Sequence, residues 1–248
     1  MFYIYNMVIT IVNFKGGVAK TTSTRCIADY LTLQGQRVLC VDLDPSGNLT
    51  QSFGVDIPDK GVGEALGDDL GLNDILMRGE PSLLPSGSKL REYEAMYASQ
   101  PMSFKRLKKK LSGLEYDYVF IDCPPNLGSL TTMALYACDR FIVPLEPEHF
   151  AVNGLASLLN YAKEVTEEDR FLGAFATRYN ENERGTLRRQ LFGMAEDRLG
   201  GRVFTTVIRR NISLAESQSL GESIYEYSPE SNGAKDYAAL TNEILNRL

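Results

Sequence analysis

Six apolar runs rich in β-branched residues punctuate the chain, at residues 8–12, 38–43, 118–121, 141–145, 171–176 and 203–208. Each is nearly continuous rather than alternating, the pattern of strands buried on both faces. Between most of them the apolar positions recur with helical period, at 21–33, 130–137, 152–165 and 187–199, and a last helix is predicted over 233–248. Strand–helix alternation along the whole length predicts a doubly wound α/β fold, with a mostly parallel sheet and helices on both faces. Residues 56–103 scatter Gly, Pro and Ser among short apolar pieces, and no element is assigned there. With 248 residues, no internal repeat and no low-complexity linker, a single domain over 1–248 is expected. Residues 1–6 read as a flexible extension ahead of the first strand.

Composition removes several classes of function. Hydrophobic content of 44% and charge of 23% are ordinary for a globular chain. No apolar run reaches the roughly 18 residues needed to span a bilayer, and no secretory leader is evident, so a cytoplasmic protein is expected. Cys26, Cys40, Cys123 and Cys138 share no CxxC spacing and read as reduced thiols. The single His149 leaves no zinc site and no Ser–His–Asp triad. Net charge is −6, yet residues 170–210 hold nine arginines, no lysine and four acids. That segment is +5, so the remainder is −11.

The first apolar run leads into Asn13, Phe14 and then KGGVAKTT at 15–22, followed by a helix-period stretch. Glycines let the backbone pass close to a ligand, and successive N–H groups at a helix N-terminus cradle phosphate oxygens. In such a loop Lys20 neutralises the β- and γ-phosphates and the Thr21 hydroxyl ligates Mg²⁺. Two later apolar runs close on acids: Asp42 and Asp44 in VDLDPSGN, and Asp122 in VFIDCPP. A hydrophobic strand closing on Asp after a phosphate loop is a metal–phosphate signature.

KGGVAKTT resembles the deviant phosphate loop KGGxGKTT of the ParA/MinD/nitrogenase-iron-protein group, with Ala19 in place of a glycine. The two acidic stretches resemble that group's DxDPQGN and DxPP motifs, with Ser46 in place of glutamine. VFTTVIRRNISLAESQSLG at 203–221 resembles the partition ATPases' VxxTxIPRNxxLxEAxSxG, with Arg209 in place of proline. The resemblance is thus to a ParA/Soj-type partition ATPase. It implies that ATP is held by Lys15, Gly16, Gly17, Val18, Ala19, Lys20, Thr21 and Thr22, with Asn180 and Asn211 at the adenine. Mg²⁺ would be held by Thr21, Asp42 and Asp122, with Asp42 supporting the site. Asp44 would position the attacking water, and Asn126 to Gly128 would form a switch loop. Lys15, for which the loop itself offers no partner, would reach across a homodimer to the other copy's nucleotide.

The resemblance further implies slow ATP hydrolysis stimulated by a ParB-like adaptor, non-specific DNA binding by the dimer, and nucleoid association. The arginine-rich segment supports DNA contact, since phosphate contacts alone supply non-specific affinity; Arg188, Arg189, Arg202 and Arg210 are the candidates. A salt-bridged solvated face is the competing explanation of these arginines. Other roles on the same engine are transport of a protein cargo or compartment, and MinD-like membrane cycling. The tail over 237–248, with Glu243 and Arg247, carries no basic amphipathic face to draw it to lipid.

Overall fold

The computed structural model describes residues 6–67, 69–100, 102–146, 151–166, 168–179 and 199–248. Strands β1 (Met7–Ile11), β2 (Val38–Asp42), β3 (Ser82–Leu84), β4 (Tyr118–Asp122), β5 (Arg140–Leu145) and β6 (Phe171–Ala176) pair in the order β3-β2-β4-β1-β5-β6. Every pairing is parallel, so every connection must cross a face of the sheet. The crossing segments supply α1 (Lys20–Leu33), α2 (Asn48–Gln51), α3 (Val62–Leu66), α4 (Leu72–Ile75), α5 (Leu90–Ala98), α6 (Arg106–Leu111), α7 (Ser129–Ala137) and α8 (Ala151–Thr166). Beyond β6 lie α9 (Ser213–Leu220), α10 (Ile224–Tyr227) and α11 (Asn232–Leu245).

Side-chain alternation along each strand splits the core in two. Val8, Leu39, Val41, Val119 and Ile121 pack with residues of α5 to α8, whereas Ile9, Ile11, Val38, Cys40 and Phe120 pack with α1, α9 and α11. Both faces are covered, which is why the runs read as continuously apolar. In α1 the buried Arg25 gives its Nε to both oxygens of Asp29 at 2.8 and 2.9 Å, stacks 3.9 Å from the Phe53 ring and donates to the Ser52 carbonyl. That fastens the helix after the phosphate loop to the turn that closes α2.

Three expectations need correction. Residues 203–208 make no strand of the sheet, although Ala174 exchanges hydrogen bonds with Arg202 and Phe204. The N–H groups of Thr205 and Thr206 are taken by the Glu243 carboxylate of α11, at 2.8 and 2.9 Å, which interrupts the ladder. The sixth strand is β3, and it lies with α3, α4 and α5 in the unassigned segment 56–103. Asn6, read as part of a flexible extension, is fastened: its amide donates to Leu114 O at 2.6 Å and accepts from Tyr116 N at 3.0 Å. The helix expected over 187–199 lies outside the described residues except at its end, and the last helix closes at Leu245.

Candidate functional site

The loop between β1 and α1 is held from both sides. Asn13 donates to Pro144 O of β5 at 2.7 Å and accepts from Lys15 N at 3.0 Å, while Thr177 at the end of β6 donates to Val18 O at 3.2 Å. Gly17 is left-handed, φ 76°, and a Cβ there would meet no protein atom within 4 Å, so its face opens on the cleft. Ala19 caps α1 with φ 68° and ψ 31°, the conformation for which the related motif uses glycine. Ala19→Gly is therefore expected to stabilise the fold by about 1 kcal/mol, the relief of a left-handed Cβ less the entropy glycine adds to the unfolded chain. A denaturant titration checks this; a loss of stability would show that the methyl packs.

The parallel register sets Asp42 opposite Asp122 at the adjacent ends of β2 and β4, both fully buried. Thr21 donates to Asp122 Oδ2 at 2.6 Å, while Asp122 Oδ1 is buried with no hydrogen-bond partner. Burial, and then the Asp42 charge, push the Asp122 carboxyl well above the usual carboxylate range. Asp42 is engaged differently. Its oxygens accept from Asp44 N at 3.1 Å and from Thr50 N and Oγ1 at 2.8 and 2.7 Å, and burial raises its pKa to about 6. Two facing carboxylates, one with an orphaned buried oxygen beside a threonine hydroxyl, fit a divalent cation that would offset their repulsion. Asp42 shapes the loop around that position through the three hydrogen bonds it accepts from Asp44 and Thr50. Among the described residues no three His, Cys, Asp or Glu side chains could hold a metal alone. A cation here would thus be shared with phosphate and water.

Lys20 is nearly buried and donates to Lys15 O at 3.2 Å. Desolvation lowers its pKa, opposed chiefly by Asp122 and more weakly by Asp44. Asp44 accepts from Ser46 N at 2.9 Å through Oδ1 and lines the cleft. The cleft, about 1300 Å³, runs along the C-terminal ends of the strands, where open parallel sheets place their ligands. Thr22, also on its wall, donates to Gln218 of α9 at 3.2 Å.

Several partnerships in this site were not read from the sequence. Lys15 is paired with Glu146, just after β5, at 3.5 Å, so it does have a partner within its own chain. Arg91 and Glu94 of α5 also line the cleft, and the Glu94 carbonyl accepts from Ser129 Oγ at the start of α7 at 3.0 Å. A Cβ at Gly128 would strike Glu94, so the two segments pack without space between them. The helical spacing of Leu90, Tyr93 and Tyr97 was the available signal for α5. Of the adenine candidates, Asn211 lines the cleft and accepts from Leu214 N at 3.3 Å, while Asn180 lies outside the described residues. Arg209 also lines the cleft, with its guanidinium paired to Asp236 at 2.6 Å.

The DNA candidates separate. Arg188 and Arg189 lie outside the described residues. Arg202 pairs with Asp169 at 2.6 Å and sits 5.0 Å from the centre of the Phe171 ring. Arg210 is exposed on the wall of the cleft.

Residues 6–172 match the family model of the AAA domain. The chain is 36% identical to the chromosome-partitioning ATPase Soj of Thermus thermophilus, over 97% of this chain and 96% of that one. It is 35% identical to the sporulation initiation inhibitor protein Soj of Bacillus subtilis, over 96% and 97%. Its structure resembles, with a TM-score of 0.83 and 35% identity, the crystal structure of cobyrinic acid a,c-diamide synthase from Mycobacterium smegmatis with bound ATP analogue and magnesium. That match covers 98% of this chain and 95% of the other. Among the described residues no helix is long and apolar enough to cross a membrane.

Proposed function

Since the chain belongs to the Soj/ParA family of partitioning ATPases, we propose that it binds Mg²⁺ and ATP in this cleft, pairs as an ATP-dependent homodimer and then binds DNA without sequence preference. The observation that carries the nucleotide reading is the Thr21–Asp122 hydrogen bond, with the orphaned Asp122 oxygen, Lys20 and Asp44 around one cleft. Magnesium would be held by Thr21 and Asp122, directly or through water, and would supply charge neutralisation at the phosphates. The amides of residues 16–22 would wrap the phosphates, and Lys20 would bridge the β- and γ-phosphates. Asp44 would orient the attacking water with its oxygen not engaged by Ser46. With no dedicated strong base beside Asp44, turnover is slow and leaves room for stimulation by a ParB-like adaptor.

Dimerisation asks Lys15 to leave Glu146 and reach the second copy's nucleotide. The pair is half-exposed, and such surface pairs contribute only about 0–1 kcal/mol, so release is inexpensive. DNA binding draws support from the +5 segment and from the partitioning relatives. One copy's patch is small against the −11 of the rest, and pairing two patches on one face doubles the phosphates reached. Arg202 is already committed to Asp169, so Arg188, Arg189 and Arg210 are the stronger candidates. A membrane-cycling role has less support, because Arg247 of the last segment is engaged by Glu243 and by Val203 O, both at 2.8 Å.

The test is a salt titration of binding to random duplex DNA in a slowly hydrolysed ATP analogue, alongside light scattering. Wild type is expected to dimerise and bind, each phosphate contact adding about −0.9 to the slope of log K against log salt. Lys15→Gln should bind nucleotide yet stay monomeric and leave DNA free. Arg189→Glu and Arg210→Glu should dimerise but lose DNA, whereas Arg202→Glu should lose less. Charge reversals that leave affinity and slope untouched would make the arginines a solvated face.

A further inference from the structure

The basic segment does not behave as one patch. Of its described arginines, Arg170 is held by Glu168 and two backbone carbonyls, Arg202 by Asp169 and Arg209 by Asp236. Two are different: like Arg210, Arg178 is exposed, lines the phosphate-loop cleft, and has no side-chain partner among the described residues. Its backbone is left-handed, φ 52°, a conformation that a non-glycine residue keeps only when its surroundings impose it. Both neighbours impose it. Thr177 gives its hydroxyl to Val18 O at 3.2 Å and its N–H to Leu145 O at 2.8 Å. Tyr179 is bonded to Ile208 O and Arg210 N at 2.9 and 3.0 Å. Arg178 is thus carried into the cleft at a conformational cost, by a segment tied directly to the phosphate loop.

We propose that Arg178 lays its guanidinium against the base of the bound nucleotide and is the residue by which this chain prefers a purine. The metal end of the site is fixed by Thr21 and Asp122 on the β4 side of β1. Strand β6 lies on the other side, two strands or about 10 Å from β1 and three or about 14 Å from β4. Thr22 leans the same way through Gln218, and the wall there is built by Ile208, Asn211, Leu214 and Ala215. Those groups are apolar or amide, suited to a base rather than to phosphate. Arg209, the neighbouring guanidinium, is locked on Asp236 and cannot serve. A planar cation with no carboxylate of its own is attracted to the face of an aromatic ring, and guanidinium planes are a general platform for nucleic-acid bases.

This inference rests on the nucleotide reading of the cleft. Calorimetric titration of wild type, Arg178→Ala, Arg178→Lys and Arg178→Gly with Mg²⁺-ATP and Mg²⁺-UTP tests it. Alanine is expected to weaken ATP about ten-fold and UTP, whose ring is smaller, much less, so the purine preference collapses. Lysine, charged but not planar, should not restore it. Glycine should lose the same affinity while raising Tm by about 2–4 °C, because it releases the left-handed strain. Equal weakening of ATP and UTP would make Arg178 a phosphate contact and overturn the proposal, as would unchanged affinities in all variants. Wild type that binds neither nucleotide would instead overturn the reading of the cleft itself.

Discussion

Lys20→Ala is expected to lower ATP affinity by about two to three orders of magnitude while the chain still folds. Charge-assisted hydrogen bonds are each worth about 1.5–3 kcal/mol, a lysine bridging two phosphates makes at least two, and each 1.4 kcal/mol is ten-fold. The location raises the effect. Lys20 is nearly buried beside Asp122 and Asp44, so its charge is poorly screened. Its removal also leaves the buried Asp122 without the cation that favours its ionised form, which disfavours magnesium at the same position. Arginine should not rescue, because the wider fork does not fit where Nζ now meets Lys15 O at 3.2 Å. Calorimetry with Mg²⁺-ATP reads the affinity, and circular dichroism confirms the fold. Wild-type affinity in the alanine variant would move the nucleotide out of this cleft.

Asp44→Ala should lower kcat by about 10²–10⁴, the usual contribution of a positioned general base or water-orienting group. ATP affinity should change little. The neighbouring carboxylate cannot substitute, since Asp42 is buried and already accepts from Thr50 and Asp44. Asp44 keeps one oxygen open to the cleft while Ser46 N fixes the other, so it is oriented before any nucleotide arrives. A variant that binds but does not hydrolyse should accumulate as the ATP-bound dimer. Phosphate release under saturating ATP and light scattering together check this. Turnover at the wild-type rate would leave Asp44 only its structural bond to Ser46.

The phosphate loop and its acids were legible in the linear chain because their chemistry is local. Consecutive glycines, a lysine and two threonines after an apolar run need no distant residue to declare a phosphate cradle, and a strand closing on Asp places that acid at the strand's end. The same holds for β1, β2, β4, β5 and β6, whose burial on both faces writes itself as unbroken apolar residues. Strand β3, three residues long, is too short to show a period. Residues 203–208 look as apolar as any strand, and only the carboxylate of Glu243, 38 positions beyond Thr205, removes them from the sheet.

Partners of charge were the part the sequence could not supply. Glu146 meets Lys15 because β5 happens to lie beside β1, and nothing in either neighbourhood announces it. The nine arginines of residues 170–210 are equivalent as a count. Strand order and helix packing then hand Arg170, Arg202 and Arg209 to carboxylates and leave Arg178 and Arg210 facing the cleft. Sequence by itself determined which atoms could hold a phosphate and a metal, since that depends on residue type at fixed short spacing. Which charges remain available to a ligand was decided only by the tertiary structure, because a pairing energy depends on distance through space, and strand order rather than chain position sets that distance.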